Sequence, residues 1–237
     1  MPDHIVRAFD ADLELLNRSV AEMGGLAEKM TGLSIEALTR RSPKLANEVI
    51  ALDPSLDTLQ RDLEEKAVLT IAKRQPVAVD LRMIVAAIRI AGDLERIGDL
   101  AKNTAKRVIA IVGQMNAPKV VGGVEHMSTL AMRQLKDVLD AYLAKDVAKA
   151  LDVWRRDDEI DALYTSLFRE LLTYMMEDPR NIGFCTHLLF CAKNVERIGD
   201  HTTNIAETVH FLVTGSPLAI ERPKADTSSL ETIELDN

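Results

Sequence analysis

Four carboxylate pairs recur along the chain at one spacing: Asp53 with Asp57, Glu95 with Asp99, Asp157 with Asp161, and Glu196 with Asp200. Asn103 and Asn204 extend the second and fourth pairs by a further step of four. On an α-helix, residues i, i+4 and i+8 lie along one face, drifting about 40° per step. Each pair is therefore a short row of oxygen donors. If the helix carrying Asp53 and Asp57 packs antiparallel to the one carrying Glu95, Asp99 and Asn103, the two rows meet. Four carboxylates and an amide then converge, and the same holds for Asp157, Asp161, Glu196, Asp200 and Asn204. Like charges so close repel unless a cation sits among them. An all-oxygen donor set without thiolate or paired imidazole suits Mg²⁺, Mn²⁺, Ca²⁺ or iron better than zinc or copper. A single Glu-x-x-x-Asp is usually a solvated helix face; adjacent rows occurring twice carry the metal reading.

The repetition is an internal duplication. Leu94-Glu-Arg-Ile-Gly-Asp-Leu-Ala-Lys-Asn-Thr-Ala105 matches Val195-Glu-Arg-Ile-Gly-Asp-His-Thr-Thr-Asn-Ile-Ala206 at seven of twelve positions. Upstream, Asp53 to Asp57 faces Asp157 to Asp161, and Gln75-Pro76 faces Asp178-Pro179. A period of about a hundred residues is a duplicated small domain rather than a solenoid repeat.

Each half reads as three helices. In the first, they run over about 5–30, with Gly32 and Ser34 as the stop, then about 43–73 and about 79–113. Ser42-Pro43 forms an N-cap and N1 pair for the second of these. In the second half they run over about 124–144, 146–177 and 182–213. Pro118 and Gly122-Gly123 mark the linker, which puts one three-helix bundle in 1–116 and the other in 117–216. Residues 217–237 lack helical periodicity and read as a disordered tail. The expected fold is all-α: two tandem, pseudo-symmetric three-helix bundles with six long helices.

A helical wheel places the rows. With Glu95 at zero, Asp99 and Asn103 fall at about 40° and 80°, whereas Ile90, Leu94, Ile97, Ala101 and Val108 cluster near about −120°. The acidic rows should then open to solvent, one surface metal site per bundle. Gly98 lies between core stripe and acidic row, and Gly199 repeats it. A glycine inside a helix costs roughly 1 kcal/mol relative to alanine, so its recurrence predicts close approach of a second helix at both places.

Composition supports helices and narrows the function. Of 237 residues, 47% are hydrophobic, only 4% aromatic, with 11 Gly and 8 Pro, a balance that suits helix bundles and not β-sandwiches. Lys and Arg number 29 against 37 Asp and Glu, a net charge of −8, which argues against nucleic acid as a partner. Two cysteines, Cys185 and Cys191, are too few for a disulfide framework and fit a reducing compartment. The start Met1-Pro2-Asp3-His4 has no signal-peptide pattern, and the apolar run from Leu81 to Ala91 is interrupted by Arg82 and Arg89. A soluble cytoplasmic protein is expected.

These residues give the chain a close resemblance to the PhoU family, cytosolic regulators of bacterial phosphate uptake. The resemblance spans about 5–214. It rests on the duplicated three-helix plan, on Lys73-Arg74-Gln75-Pro76 followed by Asp80-Leu81-Arg82, and on both Glu-Arg-Ile-Gly-Asp blocks. It implies that the acidic pairs bind iron, Mn or Mg on the bundle surface, in clusters of more than one ion in some members. It further implies an adaptor that restrains the phosphate ABC transporter through its ATPase subunit and signals to a phosphate-sensing histidine kinase. A homodimer without catalysis, peripheral to the membrane only through its partners, completes the expectation. Two departures stand out: Pro54 follows Asp53 within a helix, where proline removes a hydrogen bond and kinks the backbone, and the second half has Met176-Glu-Asp-Pro179 in place of Arg-Gln-Pro.

The competing reading is a carboxylate-bridged di-metal enzyme or metal store, since Glu207 and His210 form the Glu-x-x-His of ferritin-like proteins. Lys106 and Ile109 occupy the matching first-half positions, so that motif is not duplicated. Trp154, Tyr164, Cys185 and Cys191 read as core, His187 and His201 as surface groups or neighbours of a site. Arg96 and Arg197 are expected to pair with carboxylates of a neighbouring helix. No phosphate loop or nucleophile elbow is present.

Overall fold

A computed structural model of the chain describes residues 2–113 and 118–219. Among them every regular element is helical: α1 (Pro2–Thr39), α2 (Pro43–Arg74), α3 (Ala78–Ile111), α4 (Pro118–Ala144), α5 (Val147–Arg155), α6 (Asp157–Glu177), a 3₁₀ turn (Pro179–Asn181) and α7 (Ile182–Thr214). None is long and apolar enough to cross a membrane. Residues 217–219 follow α7 without regular structure, and the rest of the expected tail lies outside the described residues.

The helix ends follow their local chemistry. Ser42 Oγ accepts from the Leu45 N–H at 3.3 Å, with Pro43 at the first helical position of α2. Gln75 ends α2 in the left-handed region (φ 48°), its N–H donating to Ile71 O at 3.0 Å, while Lys73 and Arg74 face the negative end of the helix dipole. Gly215, at φ 78°, closes α7 through its N–H to Phe211 O at 2.9 Å.

Three boundaries differ from those read in the sequence. The first helix does not stop at Gly32 and Ser34 but continues to Thr39. Both hydroxyls nearby are buried and bond within the helix, Thr31 to Ala27 O and Ser34 to Thr31 O, so neither competes with it as a turn. Gly122 and Gly123 are not linker; they lie inside α4, where Gly123 admits Leu167 of α6 so closely that a Cβ would sit 2.9 Å from Leu167 Cδ1.

The third difference concerns the proline. α2 runs unbroken through Pro54, whereas the second half, which has no proline there, breaks between α5 and α6 at Arg156. The expected fifth long helix is thus two helices. The Arg156 N–H donates to Asp152 O and Val153 O, and its carbonyl accepts from Gln134 Nε2 at 2.8 Å, so the break leaves its backbone satisfied. Asp157, Asp158 and Glu159 then occupy the first turn of α6, where the helix dipole favours negative charge.

The three helices of the first half and the four of the second each pack together, but α3 and α7 form the most extensive pair, joining the halves. They run antiparallel. Arg82 Nε near the start of α3 donates to Leu212 O near the end of α7, and Asn194 Nδ2 in α7 donates to Thr104 Oγ1 late in α3. Arg89 lies over the Phe211 ring and Arg107 over the Phe190 ring, at 5.1 and 4.0 Å. A single buried cluster, including Leu16, Met23, Leu94, Ile97, Leu188 and Val209, runs through both halves. Burial of each such side chain contributes about 1.5–3 kcal/mol.

Candidate metal centre

The duplicated glycines do admit a second helix. A Cβ on Gly98 would lie 2.2 Å from Leu56 Cδ2 of α2, and one on Gly199 3.0 Å from Ile160 Cδ1 of α6. Leu56 and Ile160 are themselves equivalent positions, each one residue before the second aspartate of its row. The close approach therefore carries Asp53 and Asp57 to the side of Glu95 and Asp99, and Asp157 and Asp161 to the side of Glu196 and Asp200.

The first-half row holds a cation that the sequence reading did not assign. Lys102, three residues beyond Asp99, places its ammonium 2.8 Å from Asp53 Oδ2 and 2.5 Å from Asp99 Oδ1. Burial alone would lower its pKa, but the hydrogen bonds to Asp53 and Asp99 outweigh that and raise it well above the ordinary lysine value. Arg96 reaches Glu95 and Asp99 of its own helix, at 3.6 and 3.5 Å, rather than a neighbouring helix. Burial, with the nearby Asp99 and Asp57 charges, raises the Glu95 pKa despite Arg96. Asn103 is exposed, carried outward by the helical drift.

In the second half Thr203 stands in the place of Lys102. Its hydroxyl donates to Asp157 Oδ1 at 3.0 Å, with Gly199 O 3.1 Å away. The expectation of a solvent-open row fails here: Asp157, Asp161 and Glu196 are only 2%, 4% and 5% exposed. The same approach of α6 to Gly199 that gathers the carboxylates also covers them. Lys193 Nζ binds Glu196 Oε1 at 2.9 Å and lies over the Tyr164 ring. Glu196 Oε2 is buried with no hydrogen-bond partner. The Glu196 pKa is pushed up to about 7, chiefly by burial; Lys193 opposes the shift, and Asp200 and Asp161 add to it.

Asn204 does not complete this row. Its amide donates to Asp93 Oδ1 of α3 at 3.3 Å, beside His201 Nδ1, which lies 2.8 Å from the same oxygen. Asp93 thus ties the two halves together, and His201 serves that junction rather than the Asp200 side. Among the described residues no three His, Cys, Asp or Glu side chains already converge tightly enough to enclose an ion. What the second half offers is a set of oxygen donors on two facing helices with one buried carboxylate oxygen unsatisfied. A hard cation drawn in among them would satisfy that oxygen and offset the repulsion.

The other sequence candidates take separate roles. Glu207 accepts from Trp154 Nε1 at 3.0 Å, and His210 Nδ1 lies 3.2 Å from Ser216 O, so the Glu-x-x-His pair is divided between two partners. Cys185 and Cys191 are buried, and burial pushes the Cys191 thiol up to about 12, far from the reactive thiolate range.

Comparison with known proteins agrees with the duplicated architecture. The family described as "PhoU domain" matches residues 20–108 and again 124–209, one copy in each half. A relative from Rhizobium meliloti (strain 1021), named phosphate-specific transport system accessory protein PhoU homolog, is 59% identical over 226 residues, covering 95% of either chain. A homologue of the same name from Caulobacter vibrioides (strain NA1000 / CB15N) is 50% identical, over 97% of this chain and all of that one. The crystal structure of PhoU from Pseudomonas aeruginosa superposes with a TM-score of 0.85 at 38% identity, covering 88% of this chain and 100% of that one. The phosphate transport system regulatory protein PhoU from Streptococcus pneumoniae gives 0.83 at 27% identity, covering 90% and 100%.

Proposed function

The chain belongs to the PhoU family, and from that premise we propose that it is a cytoplasmic negative regulator of phosphate uptake and phosphate-starvation signalling. It acts as an adaptor, binding the ATPase subunit of the phosphate ABC transporter and a phosphate-sensing histidine kinase. The observation that supports this most is the match of both halves to the PhoU domain, together with nearly full-length relatives named as accessory proteins of phosphate-specific transport. The architecture is compatible with such a role. Two similar helical units joined along α3 and α7 present two broad faces, and an adaptor works by binding partners in one state better than in another.

A metal ion belongs to the same proposal. Iron, Mn²⁺ or Mg²⁺ would be held by Asp157, Asp161, Glu196 and Asp200; the support is the buried Glu196 Oε2, which has no hydrogen-bond partner although Lys193 binds Oε1. The ion would supply positive charge between α6 and α7 and hold them together. The di-metal enzyme reading is not favoured, because Glu207 and His210 serve Trp154 and the Ser216 carbonyl.

Affinity capture with the full chain as bait, from phosphate-replete cells, tests the adaptor role. The transporter ATPase subunit and the sensor kinase should both be recovered, and both should be lost when cells are starved. Recovery of neither under replete conditions would contradict the proposal.

A further inference from the structure

We infer that the seam between the two halves holds a binding site for a small zwitterion with an apolar side chain, an amino acid or a close analogue. The site is a cavity of about 440 Å³, lined by Arg89 of α3, by Glu207, Thr208 and Phe211 of α7, and by Pro217 and Leu218 just beyond α7. None of the paired carboxylates of the acidic rows lines it. It depends neither on bound metal nor on the regulatory role.

A cavity of this volume, placed where two units meet, is of the kind that takes small organic molecules. It is many times the share of one water, about 30 Å³, so a bare inorganic ion would not fill it. Opposite charges line it without pairing. The Arg89 guanidinium lies 5.1 Å from the centre of the Phe211 ring, and among the described residues it has no ion pair or hydrogen bond. Glu207 engages the Trp154 indole through Oε1, which leaves Oε2 as an open acceptor among the described residues. Glu207 and Phe211 are four residues apart on α7, about 6 Å along its axis. A cation and a carboxylate so placed match the ammonium and carboxylate that an amino acid carries on one carbon. Their charges sum to zero, whereas a phosphate or dicarboxylate would set extra negative charge against Glu207. Thr208 adds a donor. It is only 7% exposed, yet its hydroxyl, unlike those of Thr202, Thr203 and Thr214 on the same helix, has no partner among the described residues. A buried hydroxyl left without a partner is uncommon, and a ligand carboxylate would supply one. Phe211, Pro217 and Leu218 form the apolar wall, with Leu218 packed against the buried cluster.

Calorimetric titration of the full-length protein tests the site, using L-phenylalanine, 3-phenylpropionate, which lacks the ammonium, and phenethylamine, which lacks the carboxylate. Phenylalanine should bind, and each analogue should bind about tenfold more weakly or worse, as expected for a lost charge-assisted hydrogen bond. Arg89→Gln should reduce phenylalanine to the level of phenethylamine and leave phenethylamine unchanged. Glu207→Gln, which can still accept from Trp154, should reduce phenylalanine to the level of 3-phenylpropionate. Thr208→Val, nearly equal in volume, should weaken phenylalanine and 3-phenylpropionate but not phenethylamine, which keeps the test open if the Arg89 variant fails to fold by circular dichroism. No binding of phenylalanine at millimolar concentration would overturn the site. Equal affinity for the three ligands, or binding that none of the variants weakens, would overturn it as well.

Discussion

Lys102 of α3 and Asp53 of α2 form an ion pair at 2.8 Å, and their equivalents in the second half are a hydroxyl and a carboxylate, Thr203 and Asp157, at 3.0 Å. One substitution therefore changes the contact made at this position: a charge in the first half, a neutral hydrogen bond in the second.

Removing that charge should be costly. Lys102→Met leaves Asp53 and Asp99 without the ammonium between them, a loss of about 1–3 kcal/mol. Urea unfolding measures it. The double variant with Asp53→Asn should lose less than the two single changes added together, because the two residues are partners. Additive effects would show that the pair is not coupled.

The glycine positions give a graded test of packing. Gly98→Ala forces a methyl to within 2.2 Å of Leu56 Cδ2, and Leu56 is fully buried. The overpacking cost, about 1–3 kcal/mol, should exceed the gain of roughly 1 kcal/mol in helix propensity. Gly199→Ala meets Ile160 at 3.0 Å and should be milder. Equal melting temperatures for wild type and Gly98→Ala would contradict the close approach of α2 to α3.

Stability should depend on pH through Glu196. Its folded pKa, about 7, lies above the ordinary 4.5, so the folded chain keeps a proton that the unfolded chain releases. The group's stabilising contribution is complete below 4.5 and is lost as pH rises to about 7. In metal-free protein, the melting temperature of wild type relative to Glu196→Gln should therefore fall between pH 5 and 8. A constant difference across that range would rule out the shifted carboxyl.

Metal removal should act on the same cluster in the opposite sense. Chelation should lower the melting temperature and Mn²⁺ or Mg²⁺ should restore it, as for any ligand that binds only the folded chain. Asp161→Asn with Asp200→Asn should abolish that response. An unchanged response in the double variant would place the ion elsewhere.

Much of this architecture could be read from periodicity and repetition. The apolar stripe of Leu94, Ile97 and Ala101 is buried, and the glycines that interrupt two helices do meet Leu56 and Ile160. Local signals failed where tertiary contacts override them. Pro54 was expected to disturb α2, but Leu56 packed on Gly98 and Lys102 pinned to Asp53 hold that stretch in one helix. Arg156 carries no breaker signature; at the break its carbonyl accepts from Gln134 of a different helix and from the Glu159 N–H. A single-helix wheel predicts solvent exposure of the acidic rows because it cannot show that α6 and α7 approach at Gly199 and bury Asp157, Asp161 and Glu196 between them. Lys102 and Thr203 lie within the aligned blocks at a mismatched position, which a search for identities passes over.

Phosphate uptake tests the proposed role most directly. Labelled phosphate would be followed into phosphate-replete cells lacking this gene, with and without the wild-type chain supplied in trans. The proposed role requires unrestrained uptake and active starvation genes in the deletion strain, both returning to normal on complementation. A deletion strain with normal uptake in high and low phosphate, and no second copy of the gene to compensate, would contradict it.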